Sequence, residues 1–425
     1  MEQSSMTSLE IKVDYIARVE GEGGIDVRVV DGRVEDIKVN IFEPPRFFQA
    51  FLIGRKFEEV PDITARICGI CPVSHMMASI QAIEDAFGVV PSQQTRDLRT
   101  LLTLSQFIQS HTLHIYMLQL PDYLGHESVI SMVGDYGPAV KRALRMKKTA
   151  NDFTALLGGR EIHPVTPVVG GFTRIPTREE LLRIRSSLLS IKEDALETVK
   201  LVGTLEIPHF TPDTEQVALY DPEIYPVNGR RLGSTKGLDI DIGDYRVHIK
   251  EQQVPHSNTL HSRIEGRGSF LVGPLARINI NHERLSPDAQ EALHVVGLSL
   301  PSTNPFAGMM ARAVETVHAI DESVRIIDRL EPEPEAIVPI EPRAATGYGV
   351  SEAPRGTLYH SYRFDSEGIV TKADIVPPTA HNLSNMEKDL WAFVPSVLGL
   401  TQEEATLRCE MVVRNYDPCI SCSCH

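Results

Sequence analysis

Two Cys-x-x-Cys pairs stand at opposite ends of a 425-residue chain: Cys68 and Cys71 in RICGICPVSH, and Cys419 and Cys422 in DPCISCSCH. Between Cys71 and Cys419 lie 347 residues. A thiolate pair is a bidentate clamp for a soft metal, and two clamps make a four-sulfur site. Zinc ribbons keep their pairs within a few tens of residues. A site that joins these two pairs closes only after the chain between them has folded. The spacing therefore points to a cofactor seated in the core, with a structural zinc knot as the alternative. Each pair is trailed by a histidine, His75 after Cys71 and His425 after Cys422.

With 42% hydrophobic residues the chain has enough apolar surface for a large core. A net charge of −15 argues against nucleic acid as a partner. No apolar run approaches the roughly 20 residues of a membrane-spanning helix. The opening MEQSSMTSLE has neither a basic stretch nor an apolar one. Six cysteines, four of them in pairs, fit a reducing compartment better than a disulfide scaffold. The expectation is a cytoplasmic protein with no transmembrane segment.

Patterning predicts an α+β chain, mainly helical, with a long-helix core and small flanking sheets, organised as one domain over residues 1–425. Residues 9–41 alternate apolar and polar around Asp31-Gly32 and read as a β-hairpin region. After Cys71 the period becomes helical, with Pro72 at a first-turn position and Met76, Ile80, Ile83 and Phe87 on one face. Residues 92–119 read as a long helix ending near Pro121. Thr177-x-x-Glu180 opens another through about residue 202, and a third covers about 308–329. Residues 225–275, rich in Gly and β-formers, read as a β-containing insertion. Thr401-x-x-Glu404 caps a last helix that delivers the chain to Asp417-Pro418.

These placements carry chemistry. A helix that starts at Pro72 turns its N-terminus towards Cys71, which favours thiolate over thiol. His75, one turn further on, is in reach of that sulfur. Pro418, with its fixed φ, stiffens the approach to Cys419. His111 and His114 share a helix face but have no third ligand in sequence, so packed, hydrogen-bonded histidines are the reading.

The two cysteine strings resemble the signature motifs of the nickel–iron hydrogenase large subunit. Three further segments agree in order: Arg18-Val19-Glu20-Gly21, Glu352-Ala353-Pro354-Arg355-Gly356 and Pro377-Pro378-Thr379-Ala380-His381-Asn382. Glu22 and Ser110 stand where membrane-associated uptake enzymes have His and Asp, so the nearest group is the soluble, bidirectional, NAD(P)-linked and sulfhydrogenase-like one. The resemblance implies that fold, and reversible heterolytic cleavage of H2. It makes Cys68 and Cys419 terminal nickel ligands and Cys71 and Cys422 bridges to an iron that carries carbon monoxide and two cyanides. Pro354 and Leu358 then line the diatomic pocket, and Arg355 and Thr379 bond the cyanides. Glu20 takes a proton from the terminal Cys419, and His75 and Asp417 support the centre. Read without the family, Arg355 is a solvated or salt-bridged side chain in a loop and Glu20 a surface residue beside a Gly-rich turn. The resemblance also implies a second site for magnesium or iron at Gln49, Ile375 and His425, and removal of any extension after His425 once nickel is in place. The family usually has Glu at Gln49; a Gln carbonyl still coordinates a hard cation but brings no charge. Cys424 is an extra thiol in the second motif.

Two cysteines remain, Cys409 and Cys424, too few for a four-thiolate iron–sulfur cluster. Electrons must leave through an iron–sulfur small subunit. The chain has no GxGxxG strand–turn–helix, so flavin and nucleotide belong on diaphorase-type partners, with NAD(P) and/or ferredoxin as acceptor. An F420- or other acceptor-linked hydrogenase is one alternative. A zinc-stabilised, non-catalytic structural or interaction subunit is the alternative of another class. The related quinone-site subunit of respiratory complex I lacks the four cysteines.

Overall fold

The computed structural model describes residues 8–424. It opens with a three-stranded antiparallel sheet, β1 (Leu9–Val13), β2 (Gly23–Val30) and β3 (Arg33–Ile41), in the order β1-β2-β3. Ile11, Val27, Val29, Val39 and Ile41 face the core, as the alternation predicts. Asp31 and Gly32 both have positive φ, 49° and 71°, as a two-residue hairpin twisted with its strands requires. The short helix α1 (Phe48–Leu52) follows.

Helix α2 (Pro72–Phe87) runs from the first cysteine pair into the centre of the molecule. It lies flat on a second antiparallel sheet made by β4 (Ala345–Ala353), β5 (Gly356–Phe364) and β6 (Val370–Val376). Two glycines make that approach possible. A Cβ on Gly347 would sit 2.0 Å from the carbonyl oxygen of Ala82, and one on Gly349 2.1 Å from that of Ala78. Strand and helix are thus locked at backbone distance, and the Pro354-Arg355 connection from β4 to β5 is fixed relative to the helix that starts at Cys71.

Helix α3 (Gln93–Leu113) is capped by Ser92, whose hydroxyl accepts from the Thr95 N–H. The chain does not stop near Pro121 as predicted. A π-helical turn at His114–Gln119 breaks the α register, and Leu120–Leu124 continues the helix with Pro121 in its first turn, where the missing N–H costs nothing. Gly125, left-handed at φ 70°, ends it. Helix α4 (Val133–Gly158), which no motif in the sequence announces, packs on α3 and buries Ala143, Met146, Ala150 and Phe153. The Thr177 capping box is present, but its helix divides at Ile191 into Arg178–Ser190 and Lys192–Gly203.

The region read as a β-containing insertion is sheet, but it reaches upstream of residue 225. Glu215–Leu219 lies between Phe270–Leu271 and Arg231–Ser234, with Asp239–Asp241 at the edge. A separate pair joins Ile249–Gln252 to His261–Ile264. The buried α5 (Gly308–Arg329) packs on α3. Helix α6 (Pro378–Phe393) follows β6 directly, and α7 (Gln402–Asn415), with its Thr401–Glu404 capping box, leads into the second cysteine pair. Among the described residues no helix is long and apolar enough to cross a membrane.

Candidate metal centre

The first pair is set by the start of α2. Cys71 is its N-cap, and Pro72 occupies the first turn. Gln106 of α3 takes the next free donor: its Oε1 accepts from the Val73 N–H at 2.8 Å, and its Nε2 donates to Ser74 Oγ at 2.6 Å. Ahead of the helix, the N–H groups of Ile70 and Cys71 both point at Cys68 Sγ, at 3.2 and 3.3 Å. Such donors favour a thiolate. The second pair follows a sharp reversal at Asp417, left-handed at φ 51°. Thr379, in the first turn of α6, accepts from the Cys419 N–H at 2.8 Å.

The two pairs meet. Cys68 Sγ is 3.3 Å from Cys419 Sγ, Cys71 Sγ is 3.3 Å from Cys422 Sγ, and Cys419 and Cys422 are 3.1 Å apart. All four sulfurs lie within 4.8 Å of one another, and all four residues are buried. These separations are well beyond the roughly 2.05 Å of a disulfide. Hydrogen bonds from Cys419, Cys422 and Cys71 hold Cys68 well below the ordinary thiol range. Burial pushes Cys419 and Cys422 well above it. A dry pocket with four sulfurs holds charge on one and resists it on others; a bound cation removes that conflict.

Arg355, from the β4–β5 connection, supplies positive charge beside the sulfurs. It is buried, and its Nη2 donates to Asp417 Oδ1 at 2.7 Å. Burial opposes the charge on both, yet Arg355, His114 and Arg312 hold Asp417 down to about 2, while Asp417 and the thiolates keep Arg355 protonated. Nε and Nη1 of Arg355 have no hydrogen-bond partner among the described residues. Buried N–H groups are rarely left so. Two orphaned, charged donors beside four soft sulfurs fit a metal group that itself carries hydrogen-bond acceptors.

The sequence model of the family described as nickel-dependent hydrogenase matches residues 46–137 and 263–425. The chain belongs to this family. It is an oxidoreductase acting on H2, and its four cysteines are placed to form the metal site. It is 37% identical to the alpha chain of sulfhydrogenase 1 of Pyrococcus furiosus, with 98% of each chain covered. It is 34% identical to the alpha chain of sulfhydrogenase 2 of the same organism, again with 98% of each covered. The fold superposes on an NAD+-reducing [NiFe]-hydrogenase in its H2-reduced state with a TM-score of 0.89 and 27% identity, covering 98% and 99% of the two chains.

In this hydrogenase the other sequence-predicted residues fall into two groups. His75 is fully buried; its Nε2 lies 3.6 Å from Cys422 Sγ and its Nδ1 3.1 Å from His360 Nε2. The imidazole thus reaches across to the sulfur of the other pair. Pro354 and Leu358 are buried on either side of Arg355. Glu20 is half-buried against the second pair: its carbonyl accepts from the Ile420 N–H at 2.9 Å and its Oε2 from the Ser421 N–H at 3.1 Å. Gly21 makes that contact possible, since at its φ of +89° a Cβ would lie 2.6 Å from that of Ile420. The second group comprises the expected magnesium or iron site and the remaining histidines and cysteine. Gln49 sits half-buried on α1, which packs on β6, where Ile375 is buried. His425 lies outside the described residues. His111 and His114 serve separate partners, Glu315 Oε2 and the Arg414 carbonyl, each at 2.8 Å. Cys409 is buried in α7 and pushed up to about 12 by burial.

Sequence reasoning missed two arginines that brace the centre. Arg46 donates through Nη2 to the carbonyls of both Ile67 and Ser421, and its own N–H bonds the Cys424 carbonyl at 2.8 Å. It ties the two cysteine segments together. Arg277 is fully buried, paired with Glu315 and Glu352, and donates to the carbonyls of Ala353 and Pro354 at 2.9 and 3.1 Å. It holds the connection that carries Arg355. The only hint for Arg46 is the preceding Pro44-Pro45, and for Arg277 its place in an otherwise apolar stretch, PLARINI.

Proposed function

We propose that this chain is the catalytic subunit of a cofactor-linked hydrogenase complex, and that Cys68, Cys71, Cys419 and Cys422 hold a nickel–iron centre at which H2 is cleaved reversibly and heterolytically. The convergence of four buried sulfurs beside an Arg355 guanidinium with two unpartnered donors carries this reading. On the family resemblance, Cys68, Cys71, Cys419 and Cys422 would together hold the nickel and the iron. When bound, the metals supply the Lewis acidity and the electron-pair acceptor that heterolysis of H2 requires.

The chain's own residues do the rest. The free donors of Arg355 and the hydroxyl proton of Thr379 suit acceptor ligands such as the two cyanides of an iron that also carries carbon monoxide, with Pro354 and Leu358 forming an apolar wall around them. Asp417 fixes the guanidinium, and His75 Nε2 lies against Cys422 Sγ. A thiolate at Cys419 takes the proton released by heterolysis and passes it to Glu20, whose carboxylate lies against the same turn. In the reverse direction Glu20 returns it. Gln49, Ile375 and His425 would hold the second ion, magnesium or iron, that the family resemblance implies.

Cys409 and Cys424 cannot ligate a cluster alone, so electrons pass to an iron–sulfur small subunit, then through diaphorase-type flavin subunits to NAD(P) and/or ferredoxin. Similarity to an NAD+-reducing enzyme and to the alpha chain of a sulfhydrogenase favours this acceptor class. A cytoplasmic location follows from the same reading. H2-dependent reduction of NAD+, NADP+ and ferredoxin by the co-purified complex tests it. Reduction of none of these, with H2-driven reduction of F420 or an artificial dye retained, assigns the chain to the other acceptor group.

A further inference from the structure

Away from the four sulfurs, a second set of metal-type donors converges at the surface. His256, His261 and Glu387 bring one ligand atom each to within 4.8 Å of the others. His256 Nε2 is 2.7 Å from Glu387 Oε1, and His261 Nδ1 is 3.8 Å from Glu387 Oε2. The two rings stand nearly perpendicular, at 88°. The Val39 N–H donates to Glu387 Oε1 at 3.0 Å and fixes the carboxylate from behind. Metal-binding carboxylates are held in this way.

The site is half closed. His261 is 1% exposed and its Nε2 has no hydrogen-bond partner among the described residues, whereas the side chains of His256 and Glu387 are 19% and 20% exposed. Two imidazoles and a carboxylate, with a position left open to water, is a donor set that zinc-class ions take.

The position of the set gives it a purpose. The histidines bracket a loop whose Thr259 hydroxyl bonds Ser423 Oγ at 2.7 Å and Cys424 Sγ at 3.1 Å. Asn258, in the same loop, bonds the Ile41 carbonyl through its N–H at 2.8 Å. Glu387 belongs to α6, the helix whose Thr379 holds Cys419. We propose that His256, His261 and Glu387 form a second metal site for a zinc-class divalent ion, which clasps the loop over residues 256–261 to α6 and so holds down the segment that follows Cys422.

Zinc uptake and zinc K-edge absorption on the purified complex test this, with wild type compared to His256→Gln and Glu387→Gln. These half-exposed positions carry the test because replacing the buried His261 endangers the fold. Wild type should bind one additional zinc per chain, with a nitrogen–oxygen shell at about 2.0–2.1 Å. Loss of a supporting group alone costs about 10–100-fold in metal affinity, so each variant should bind at least about tenfold more weakly. Hydrogen exchange in peptides covering 254–262 and 419–424 should slow when zinc is added to wild type and not change in the variants. Equal nitrogen–oxygen-bound zinc in wild type and both variants, or zinc bound by sulfur alone, would overturn the assignment and leave a histidine–carboxylate hydrogen-bond pair.

Discussion

Arg355 donates to Asp417 Oδ1 at 2.7 Å, with both side chains almost fully buried, at 3% and 1% exposure. One residue comes from the β4–β5 connection and the other stands two positions before Cys419. The pair therefore fixes how the second cysteine segment sits under a guanidinium. A salt bridge in this position is worth more as geometry than as stability, since desolvation offsets most of its attraction.

Replacing Arg355 by Lys should lower H2 turnover by about 10²–10³ while nickel content stays near that of wild type. Lys is a flexible point charge and cannot reproduce a fork that bonds Asp417 and still leaves two donors free. Turnover and nickel are measured on the same preparation. Near-normal turnover at full nickel would return Arg355 to a purely structural role.

Asp417→Asn keeps the shape but leaves Arg355 and Arg312 without their carboxylate. Breaking one side of a buried pair costs about 3–5 kcal/mol. The melting temperature of the complex should fall by several degrees, and an unchanged value would mean that the charge is balanced elsewhere.

Glu20→Gln should reduce H2 oxidation and H2 production together and leave the metals in place. Gln still accepts from the Ser421 N–H but cannot carry a proton. Loss of nickel in this variant would make Glu20 a positioning group for the Cys419–Cys422 turn, and undiminished activity would put the proton path elsewhere.

The parts of this centre that were legible in the sequence are those fixed by local chemistry. Cys71-Pro72 announces a helix start, Asp31-Gly32 a hairpin, and Thr401-x-x-Glu404 a cap, and each forms as read. Cys68 and Cys419 carry motif strings that name their partners across the whole chain. What stayed hidden depends on tertiary approach. Nothing near Arg46 or Arg277 shows that their guanidinium groups reach carbonyls of segments far along the chain. The continuation of the helix past Pro121 depends on a wide turn at His114–Gln119 that no propensity predicts. The His256–His261–Glu387 cluster joins a loop to a helix far along the chain, with no spacing motif between them.

Arg46→Gln should impair metal loading before it impairs the fold. The guanidinium joins the Ile67 and Ser421 carbonyls from the two cysteine segments, whereas a Gln amide is too short to serve both. Nickel per chain should drop while the circular dichroism spectrum is unchanged. Full nickel occupancy in the variant would show that α2 and α6 alone align the pairs.

Acid should destabilise the protein through buried histidines. Burial brings His114 and His381 down to about 3 from an ordinary value of 6.5. The unfolded chain takes up these protons below about pH 6.5, and the folded chain does not until about pH 3. Folded-state stability is therefore retained above pH 6.5 and lost as pH falls through that window, at up to about 1.4 kcal/mol per pH unit for each histidine. His381→Gln should flatten the fall in melting temperature between pH 6.5 and 4. A slope identical to that of wild type would mean that His381 is already protonated in the fold.

Nickel K-edge X-ray absorption on the purified, H2-active complex tests the central claim most directly, with wild type set beside Cys68→Ser and Cys419→Ser. Four buried sulfurs predict a nickel environment dominated by sulfur in wild type, and loss of that nickel in either variant, because a mostly protonated hydroxyl is a poor ligand for a soft site. Nickel surrounded only by nitrogen and oxygen, or zinc in place of nickel at the four sulfurs of an active preparation, would contradict it.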